Sequence, residues 1–192
     1  MKKYNIIYAD PPWFFKDWNY KQNLKNQFLG VPSTCKRSPS RHYKLMTKED
    51  IQNLPVSTIS ADDSILFLWV TNPCLQEGLE LINTWGFTYK TVAFTWVKRN
   101  QIADSWFWGL GYWTRANSEL CLLATRGSPK RISKSVHSII DTHIERHSKK
   151  PDEVRDRIVQ LCGDIPRIEL FAREKVDGWD VWGNEIESDI EL

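Results

Sequence analysis

The chain has 192 residues, of which 41% are hydrophobic and 26% are charged, and its formal net charge is +2. This composition is ordinary for one soluble globular domain, residues 1–192, that buries a full core. No run of about eighteen apolar residues occurs and the N-terminus lacks a signal peptide's apolar region, which excludes membrane-spanning and secreted classes and favours a cytoplasmic protein.

The apolar segment Tyr4–Ala9 predicts a short buried strand, and the following proline pair must end it. The tetrapeptide Asp10-Pro11-Pro12-Trp13 therefore lies at a strand's carboxyl end, where open α/β sheets bind ligands. Asp10 offers a carboxylate acceptor, the prolines aim their carbonyls, and Trp13 presents a π face. These groups suit an exocyclic amine on a planar base, although a simple strand-ending turn is an equally good interpretation of the tetrapeptide alone.

The next segment is long, polar and basic, with six Lys or Arg residues and no acid between Trp18 and Leu45. Loops of this length are usually functional, and these cations are suited to neutralise phosphates. The alternative is a mobile solvated lid. The cations are Lys21, Lys25, Lys36, Arg37, Arg41 and Lys44, and the stacking candidates beside them are Phe14, Phe15, Trp18 and Tyr20.

Apolar periodicity predicts the remaining elements in chain order. A short helix begins at Thr47 with a capping box in which Asp50 replaces the usual Glu. A strand over 64–70 should lie beside the first, and a helix capped by Asn72 follows, with Leu75, Leu79 and Ile82 on its apolar face. Further strands are predicted over 91–97, 120–125, 167–172 and 179–182, and a helix over 151–161 buries Val154, Ile158 and Leu161 and ends at Gly163.

Two stretches between these elements carry aromatic and basic residues. Trp106 and Trp108 are interpreted as core or interface residues, while Arg115 is left open between an ion pair and a phosphate contact. Residues 126–150 contain seven Lys or Arg against two acids. The spacing of Val136, Ile139, Ile140 and His143 there predicts an amphipathic helix whose basic outer face contacts substrate or cofactor.

Cysteine and histidine positions bear on redox state and metal binding. The four cysteines form no C-x-x-C pair, which favours free thiols over a disulfide framework. His143 and His147 share helical spacing, but no cysteine supports them, so we predict no metal. The cysteines are Cys35, Cys74, Cys121 and Cys162.

Seven motifs in fixed order extend from about Tyr4 to Glu185: Asp10-Pro11-Pro12-Trp13, His42-Tyr43, Leu66 to Pro73, Gly111-Tyr112-Trp113-Thr114-Arg115, Lys150-Pro151-Asp152-Glu153, Glu169 to Arg173, and Trp182-Gly183-Asn184-Glu185. Together they resemble the MT-A (seventy-kilodalton) adenine-N6 methyltransferase family. This family includes the catalytic subunit of the eukaryotic mRNA adenosine methyltransferase and small prokaryotic and viral DNA enzymes.

The resemblance implies an α/β, Rossmann-like S-adenosylmethionine-dependent methyltransferase fold. The acceptor motif precedes the cofactor strand, so the fold is circularly permuted, with a mostly parallel sheet of about seven strands and one antiparallel member. The implied cofactor is S-adenosyl-L-methionine, with Lys150 pairing with its carboxylate and Asn184 and Glu185 on its ribose. The full implied cofactor set is Asp10, Lys150, Glu169, Phe171, Arg173, Asn184 and Glu185.

Two features depart from nucleotide-binding patterns. No G-x-G-x-x-G follows any strand, so the cofactor assignment depends on the family resemblance. Lys175 and Val176 stand where the mRNA enzyme has His and Asn, which removes support for those two cofactor contacts.

The resemblance also implies a nucleic-acid substrate. DNA is favoured over RNA because the chain lacks the zinc-finger and partner-binding regions of the mRNA enzyme, and the target sequence, the oligomeric state and any partner stay open. The proposed nucleic-acid contacts are Lys21, Lys36, Arg37, Arg41, His42, Tyr43, Arg115, Lys130, Arg131 and Lys149.

The expected reaction is methyl transfer to the N6 amine of adenine in DNA, with Asp10, Pro11, Pro12 and Trp13 as the catalytic residues. The Asp10 carboxylate and the Pro11 carbonyl would accept N6–H bonds and so favour the pyramidal attacking nitrogen, while Trp13 stacks on the base. The alternatives are RNA adenosine N6 methylation, cytosine-N4 transfer, and a non-catalytic nucleic-acid-binding scaffold.

Overall fold

The computed structural model describes residues 2–13, 46–109, 111, 113–146 and 148–192. The strands in these ranges are β1 (Tyr4–Ala9), β2 (Ser60–Val70), β3 (Thr88–Arg99), β4 (Ser118–Arg126), β5 (Ile139–His143), β6 (Arg167–Leu170) and β7 (Asp180–Trp182). The α-helices there are α1 (Lys48–Gln52), α2 (Val56–Ile59), α3 (Leu75–Thr84) and α4 (Glu153–Cys162).

The seven strands of the described chain form one sheet in the order β5-β3-β4-β2-β1-β6-β7. β4 runs antiparallel to both of its neighbours, and the other pairings are parallel. The prediction of a mostly parallel sheet with one antiparallel member is confirmed. We call the edge at which the six parallel strands end, and at which β4 begins, the carboxyl edge.

Strand β1 lies between β2 and β6 and fixes what meets at the carboxyl edge. Ala9 pairs with Leu68 on one side and with Leu170 on the other. The prediction that the ends of the first two strands lie side by side is therefore confirmed. Asp10 follows β1 and lies between the ends of β2 and β6.

Side chains from both faces of the sheet form the core. Ile7 and Ala9 of β1 belong to the cluster that packs with α1, α2 and α3, whereas Ile6 and Tyr8 belong to the cluster that packs with α4. The alternation of strand side chains explains this division, and because β1 is covered on both faces it is apolar along nearly its whole length. Such a strand holds Asp10 on a rigid support.

The helices agree with the sequence in type and differ in detail. Thr47 and Asp50 form the predicted capping box of α1. A 3₁₀ turn over Asn72–Cys74 precedes α3, so the predicted cap at Asn72 was wrong, and Thr71 occupies the position before that turn. This extra turn changes which side chains face inward: Leu75 is exposed, and Gly78, Leu81 and Ile82 are the buried residues of α3.

Three other predictions about this part of the chain were wrong. Residues 139–143 form strand β5 and not a helix, because the edge of β3 offers a backbone partner and the segment alternates, with Ile140 buried and Ile139 exposed. In α4 the third inward residue is Cys162 and not Leu161. Trp106 and Trp108 are 52% and 69% exposed, so the core alternative was wrong for both, and the interface alternative stays a prediction.

Three cysteines, Cys74, Cys121 and Cys162, are buried free thiols. Burial raises the pKa of each of these thiols. Cys35 lies outside the described residues. In the ranges that the structure describes, no helix has the length and apolar character needed to cross a membrane.

Candidate active site

The tetrapeptide that follows β1 is fixed by two hydrogen bonds. The Trp13 backbone N–H donates to the Pro11 carbonyl at 2.7 Å, which makes a tight turn, and the Trp13 indole N–H donates to the Trp69 carbonyl at 2.8 Å. The Trp13 side chain is only 8% exposed. It therefore anchors the turn to β2, and little of its ring face is open to the base stacking predicted from the sequence.

Asp10 forms the central ion pair of the site. Its Oδ2 lies 2.7 Å from the Lys150 ammonium, and the two side chains are 29% and 12% exposed. Burial raises the pKa of the Asp10 carboxyl, and Lys150 opposes that rise. The family resemblance predicted that Lys150 binds the carboxylate of the cofactor. In the structure, Lys150 contacts Asp10, the predicted catalytic residue.

Glu119, near the start of β4, is a second carboxylate at the carboxyl edge. Its Oε2 lies 3.3 Å from Lys150 Nζ, and its Oε1 accepts a hydrogen bond from Lys98 on β3. Burial alone would raise the pKa of Glu119, but the Lys150 and Lys98 ammonium groups outweigh it and hold that pKa below its usual range. Asp10, Lys150, Glu119 and Lys98 thus form a chain of alternating charges, which we call the charge chain.

Glu169 on β6 has both carboxylate oxygens on one arginine. Arg155 Nε donates to Oε2 at 2.7 Å and Arg155 Nη2 donates to Oε1 at 3.1 Å. Glu169 is 8% exposed, and burial raises its pKa even though Arg155 opposes the rise. This bidentate pair joins α4 to β6, so the geometry favours a structural role over the predicted cofactor contact.

The ends of β6 and β7 form the other half of the carboxyl edge. Phe171 has φ 62°, a rare conformation for a bulky residue, and its ring meets Trp182 edge-on at 5.4 Å. Arg173 Nε lies 3.1 Å from Glu185 Oε1, and Asn184 and Glu185 are exposed. The predicted cofactor residues after these strands therefore present a guanidinium, an amide and a carboxylate together.

Gly183 lets the two strand ends approach closely. A Cβ at this position would lie 2.2 Å from the Ala172 carbonyl oxygen. The Ala172 backbone N–H donates to the Trp182 carbonyl at 3.0 Å across the same contact. Backbone contacts and not flexible side chains thus fix the distance between the ends of β6 and β7, which carry the exposed polar residues of this edge.

The predicted nucleic-acid contacts have different outcomes. Lys149 is held by Asp152 at 2.6 Å and by Glu145 at 2.8 Å, which occupies its charge within the protein. Arg115 is exposed and stacks over Trp108 at 4.9 Å, and Lys130 and Arg131 are exposed. The other six, Lys21, Lys36, Arg37, Arg41, His42 and Tyr43, lie outside the described residues.

Across the described residues, no group of three or more His, Cys, Asp or Glu side chains could hold a metal ion. The His143 Nδ1 lies 2.5 Å from the Asn100 carbonyl oxygen, which accounts for one ring nitrogen, and His147 is outside the described residues.

Comparison with known proteins identifies the family. The MT-A70 family model matches residues 4–185. The chain belongs to the MT-A70 family. A type II methyltransferase, M.MunI of Mycoplasma sp, is 37% identical over 96% of this chain and 78% of its own length. The N(6)-adenosine-methyltransferase catalytic subunit METTL3 of Homo sapiens is 28% identical over 96% of this chain, which spans 28% of that protein. The predicted family, fold and methyltransferase class are confirmed.

Sequence reasoning about this MT-A70 protein missed three charged residues at the site: Lys98, Glu119 and Arg155. None belongs to a recognised motif. Glu119 reaches the carboxyl edge only because β4 is antiparallel, and the direction of β4 was not readable from its apolar run. Arg155 lies in the first turn of α4, and the buried residues of that helix are Val154, Ile158 and Cys162. Its place beside this apolar face was a signal in the sequence that its guanidinium pairs with a carboxylate, which in the structure is the buried Glu169.

Proposed function

We propose that this protein transfers a methyl group from S-adenosyl-L-methionine to the N6 amine of adenine in DNA. The observation that carries the proposal is the Asp10 carboxylate, which follows β1 at the carboxyl edge and lies 2.7 Å from the Lys150 ammonium. An ammonium at this distance favours the ionised carboxylate, which is the form that accepts amine hydrogens.

The residues at the carboxyl edge fit the proposed cofactor. S-Adenosylmethionine carries an amino-acid end, two ribose hydroxyls and a positively charged sulfur bearing the methyl group that is transferred. Arg173, Asn184 and Glu185 offer donors and acceptors suited to the ribose, and Lys150 offers a cation for the carboxylate. The ends of β1 and β7 are two strand spacings apart, about 10 Å, which matches the reach of a nucleoside between them.

In the proposed reaction Asp10 and Pro11 orient the attacking amine. The adenine N6 lone pair is delocalised into the ring, so acceptors on its N–H bonds stabilise the pyramidal nitrogen of the transition state. The Pro11 carbonyl accepts one bond from Trp13 and keeps a second lone pair for this purpose. Pro12 fixes the turn through its ring, and Trp13 positions it through the indole hydrogen bond to Trp69.

The choice of DNA over RNA is supported by the extent of the similarities. The type II methyltransferase M.MunI is similar over most of both chains, whereas METTL3, an N(6)-adenosine-methyltransferase catalytic subunit, is similar over 28% of its length. RNA methylation is the alternative that the METTL3 similarity supports. Of the exposed predicted contacts, Arg115 precedes β4 at the carboxyl edge and could meet a nucleic-acid substrate of either kind, whereas Lys130 and Arg131 follow the other end of β4.

The test is transfer of labelled methyl from S-adenosylmethionine to duplex DNA, single-stranded DNA and RNA in parallel, followed by nucleoside analysis of each product. We expect N6-methyladenine in DNA. Label in RNA alone, or N4-methylcytosine as the product, would contradict the proposed substrate. A folded protein that binds S-adenosylmethionine and labels no substrate would favour the non-catalytic scaffold.

Asp10 is tested in the same assay with Asp10→Ala. Loss of the placed acceptor should reduce kcat by at least about 10²-fold, the usual size for removal of one transition-state hydrogen-bonding group. Glu80→Gln serves as the control because Glu80 on α3 forms an exposed pair with Lys48 and belongs to none of the motifs. Turnover by folded Asp10→Ala equal to that of the control would refute the mechanism.

A further inference from the structure

The charge chain contains a carboxylate that has no assigned part in the proposed reaction. Glu119 contacts Lys150 and Lys98, and each of these three side chains is no more than 16% exposed. Burying a carboxylate costs free energy unless cations compensate it, and here two ammonium groups do so. A buried arrangement of this kind holds its members in fixed positions, because each lost contact leaves a charge uncompensated.

Lys150 is the member that Glu119 shares with Asp10. The Lys150 ammonium lies 2.7 Å from Asp10 Oδ2 and 3.3 Å from Glu119 Oε2, so it bridges two carboxylates from β1 and β4. A lysine side chain has four rotatable bonds, and a single ion pair would leave its ammonium free to swing about that one contact. The second carboxylate removes this freedom.

We infer that Glu119 is a positioning residue of the methyl-transfer site: it holds the Lys150 ammonium beside Asp10 and balances the charge there. The inference depends on the proposed function, in which Asp10 accepts the adenine amine. Glu119 acts through Lys150, since the contacts on its two carboxylate oxygens are to Lys150 and Lys98.

The sign of the effect on Asp10 follows from the charges around it. The negative charge of Glu119 raises the pKa of Asp10, whereas Lys150 and Lys98 lower it. In the described part of the chain, the ionisable groups that act on Asp10 or respond to it come from four strands and one loop: Tyr8 on β1, Lys98 on β3, Glu119 and Cys121 on β4, Glu169 on β6, and Lys150 after β5. Lys98 and Glu119 therefore have opposite effects on the same carboxyl.

The test measures the pKa of Asp10 directly by ¹³C NMR of protein labelled at the aspartate carboxyls, with the Asp10 signal assigned from Asp10→Asn. Glu119→Gln removes the charge and keeps a side-chain oxygen that can accept from Lys150, so it should lower this pKa by about half a unit or more, and Lys98→Met should raise it by a similar amount. The control Glu80→Gln should leave it unchanged. Glu119→Ala also removes the oxygen that holds Lys150, so its Asp10 pKa should lie above that of Glu119→Gln, and equal values in these two variants would refute the positioning role.

Kinetics supply the second measurement. In Glu119→Gln the acid limb of the pH profile of kcat/KM should move to lower pH together with the NMR value, and kcat at neutral pH should fall about tenfold. If the pKa of Asp10 is unchanged in Glu119→Gln and in Lys98→Met, or moves in the same direction in these two variants, the inference is overturned. Failure of the wild type to transfer methyl would refute the proposed function, and the NMR result would still report whether Glu119 acts on Asp10.

Discussion

At the scale of single residues, the site consists of carboxylates whose ionisation is set by their neighbours. Burial raises the pKa of both the Asp10 and the Glu169 carboxyl. Lys150 lowers the pKa of Asp10 and Arg155 lowers that of Glu169, but burial outweighs each cation. Glu119, which faces two ammonium groups, is the one of these three carboxylates whose pKa is lowered. Two ammonium groups in direct contact outweigh burial at Glu119, whereas the one cation in contact with Asp10 and the one in contact with Glu169 do not.

Lys150→Met is expected to raise the pKa of Asp10 further. An opposite charge within a few ångströms shifts a carboxyl pKa by about 1–3 units, and this variant removes it while burial stays. A protonated Asp10 is a poorer acceptor for the amine, so the acid limb of kcat/KM should move about 1–3 pH units upward. The pH profile of methyl transfer measures this shift.

Two variants control for the loss of charge itself. Lys150→Arg keeps a cation and should restore most of the profile, and Lys48→Met removes a surface lysine whose partner is Glu80 on α3. A uniform loss of activity with an unmoved limb and a raised KM for S-adenosylmethionine would contradict the prediction. It would indicate that Lys150 acts on the cofactor alone.

At the scale of elements, the close contact between α3 and β2 determines which face of the helix is buried. A Cβ at Gly78 would lie 2.4 Å from Val70 Cγ1, and Val70 is buried and stiff at χ1. The helix therefore needs a residue without a side chain at this position, one turn from its start. This contact fixes α3 against the end of β2, the strand whose Trp69 carbonyl accepts the hydrogen bond from the Trp13 indole.

Gly78→Ala tests this contact. The gain in helix propensity is about 1 kcal/mol, whereas overpacking a rigid core costs about 1–3 kcal/mol, so the free energy of unfolding should fall by about 1 kcal/mol. In the background of Val70→Ala the clash is absent, and the same substitution should be neutral or stabilising. Urea unfolding of the four proteins in this cycle measures the change of sign, and additive effects would show that the two residues do not contact.

An element could be predicted from the sequence where the residues that determine it are neighbours in the chain. The capping box of α1 and the proline pair after β1 act through neighbouring residues, so the sequence sufficed for them. Residues 139–143 were predicted as a helix because their spacing fits one, and only the free edge of β3, far away in sequence, makes them a strand. Glu119 was missed for the same reason, since its position depends on the direction of β4.

The same distinction applies to the candidate site. The tetrapeptide and Lys150 were found through motifs, and their placement at one edge followed from parallel strands. The bidentate Arg155–Glu169 pair changed the interpretation of a residue that a motif had indicated. The motifs thus identified residues that lie close together at the site. The tertiary contacts showed which of these side chains are already paired with another residue of the protein.

At the scale of the whole molecule, five weakly acidic groups are kept neutral by burial. They lie on both faces of the sheet, and desolvation raises the pKa of each: the thiols of Cys74, Cys121 and Cys162, and the hydroxyls of Tyr4 and Tyr8. For Cys162 the pKa is raised to about 12 from an ordinary value of 9.0. In the unfolded chain these groups ionise at their ordinary values.

This difference predicts how the free energy of unfolding depends on alkaline pH. Below about pH 9 the groups are neutral in both states, so they contribute no pH dependence. Above about pH 9 for the thiols, and above about pH 10 for the tyrosines, the unfolded chain releases protons that the folded protein retains. Stability then falls by about 1.4 kcal/mol per pH unit for each such group until its folded pKa is reached. Urea unfolding under reducing conditions between pH 8 and 11 should show a progressive loss that begins near pH 9. Cys162→Ala should reduce the slope by about one group, and an unchanged slope in that variant would mean that Cys162 already ionises in the folded protein.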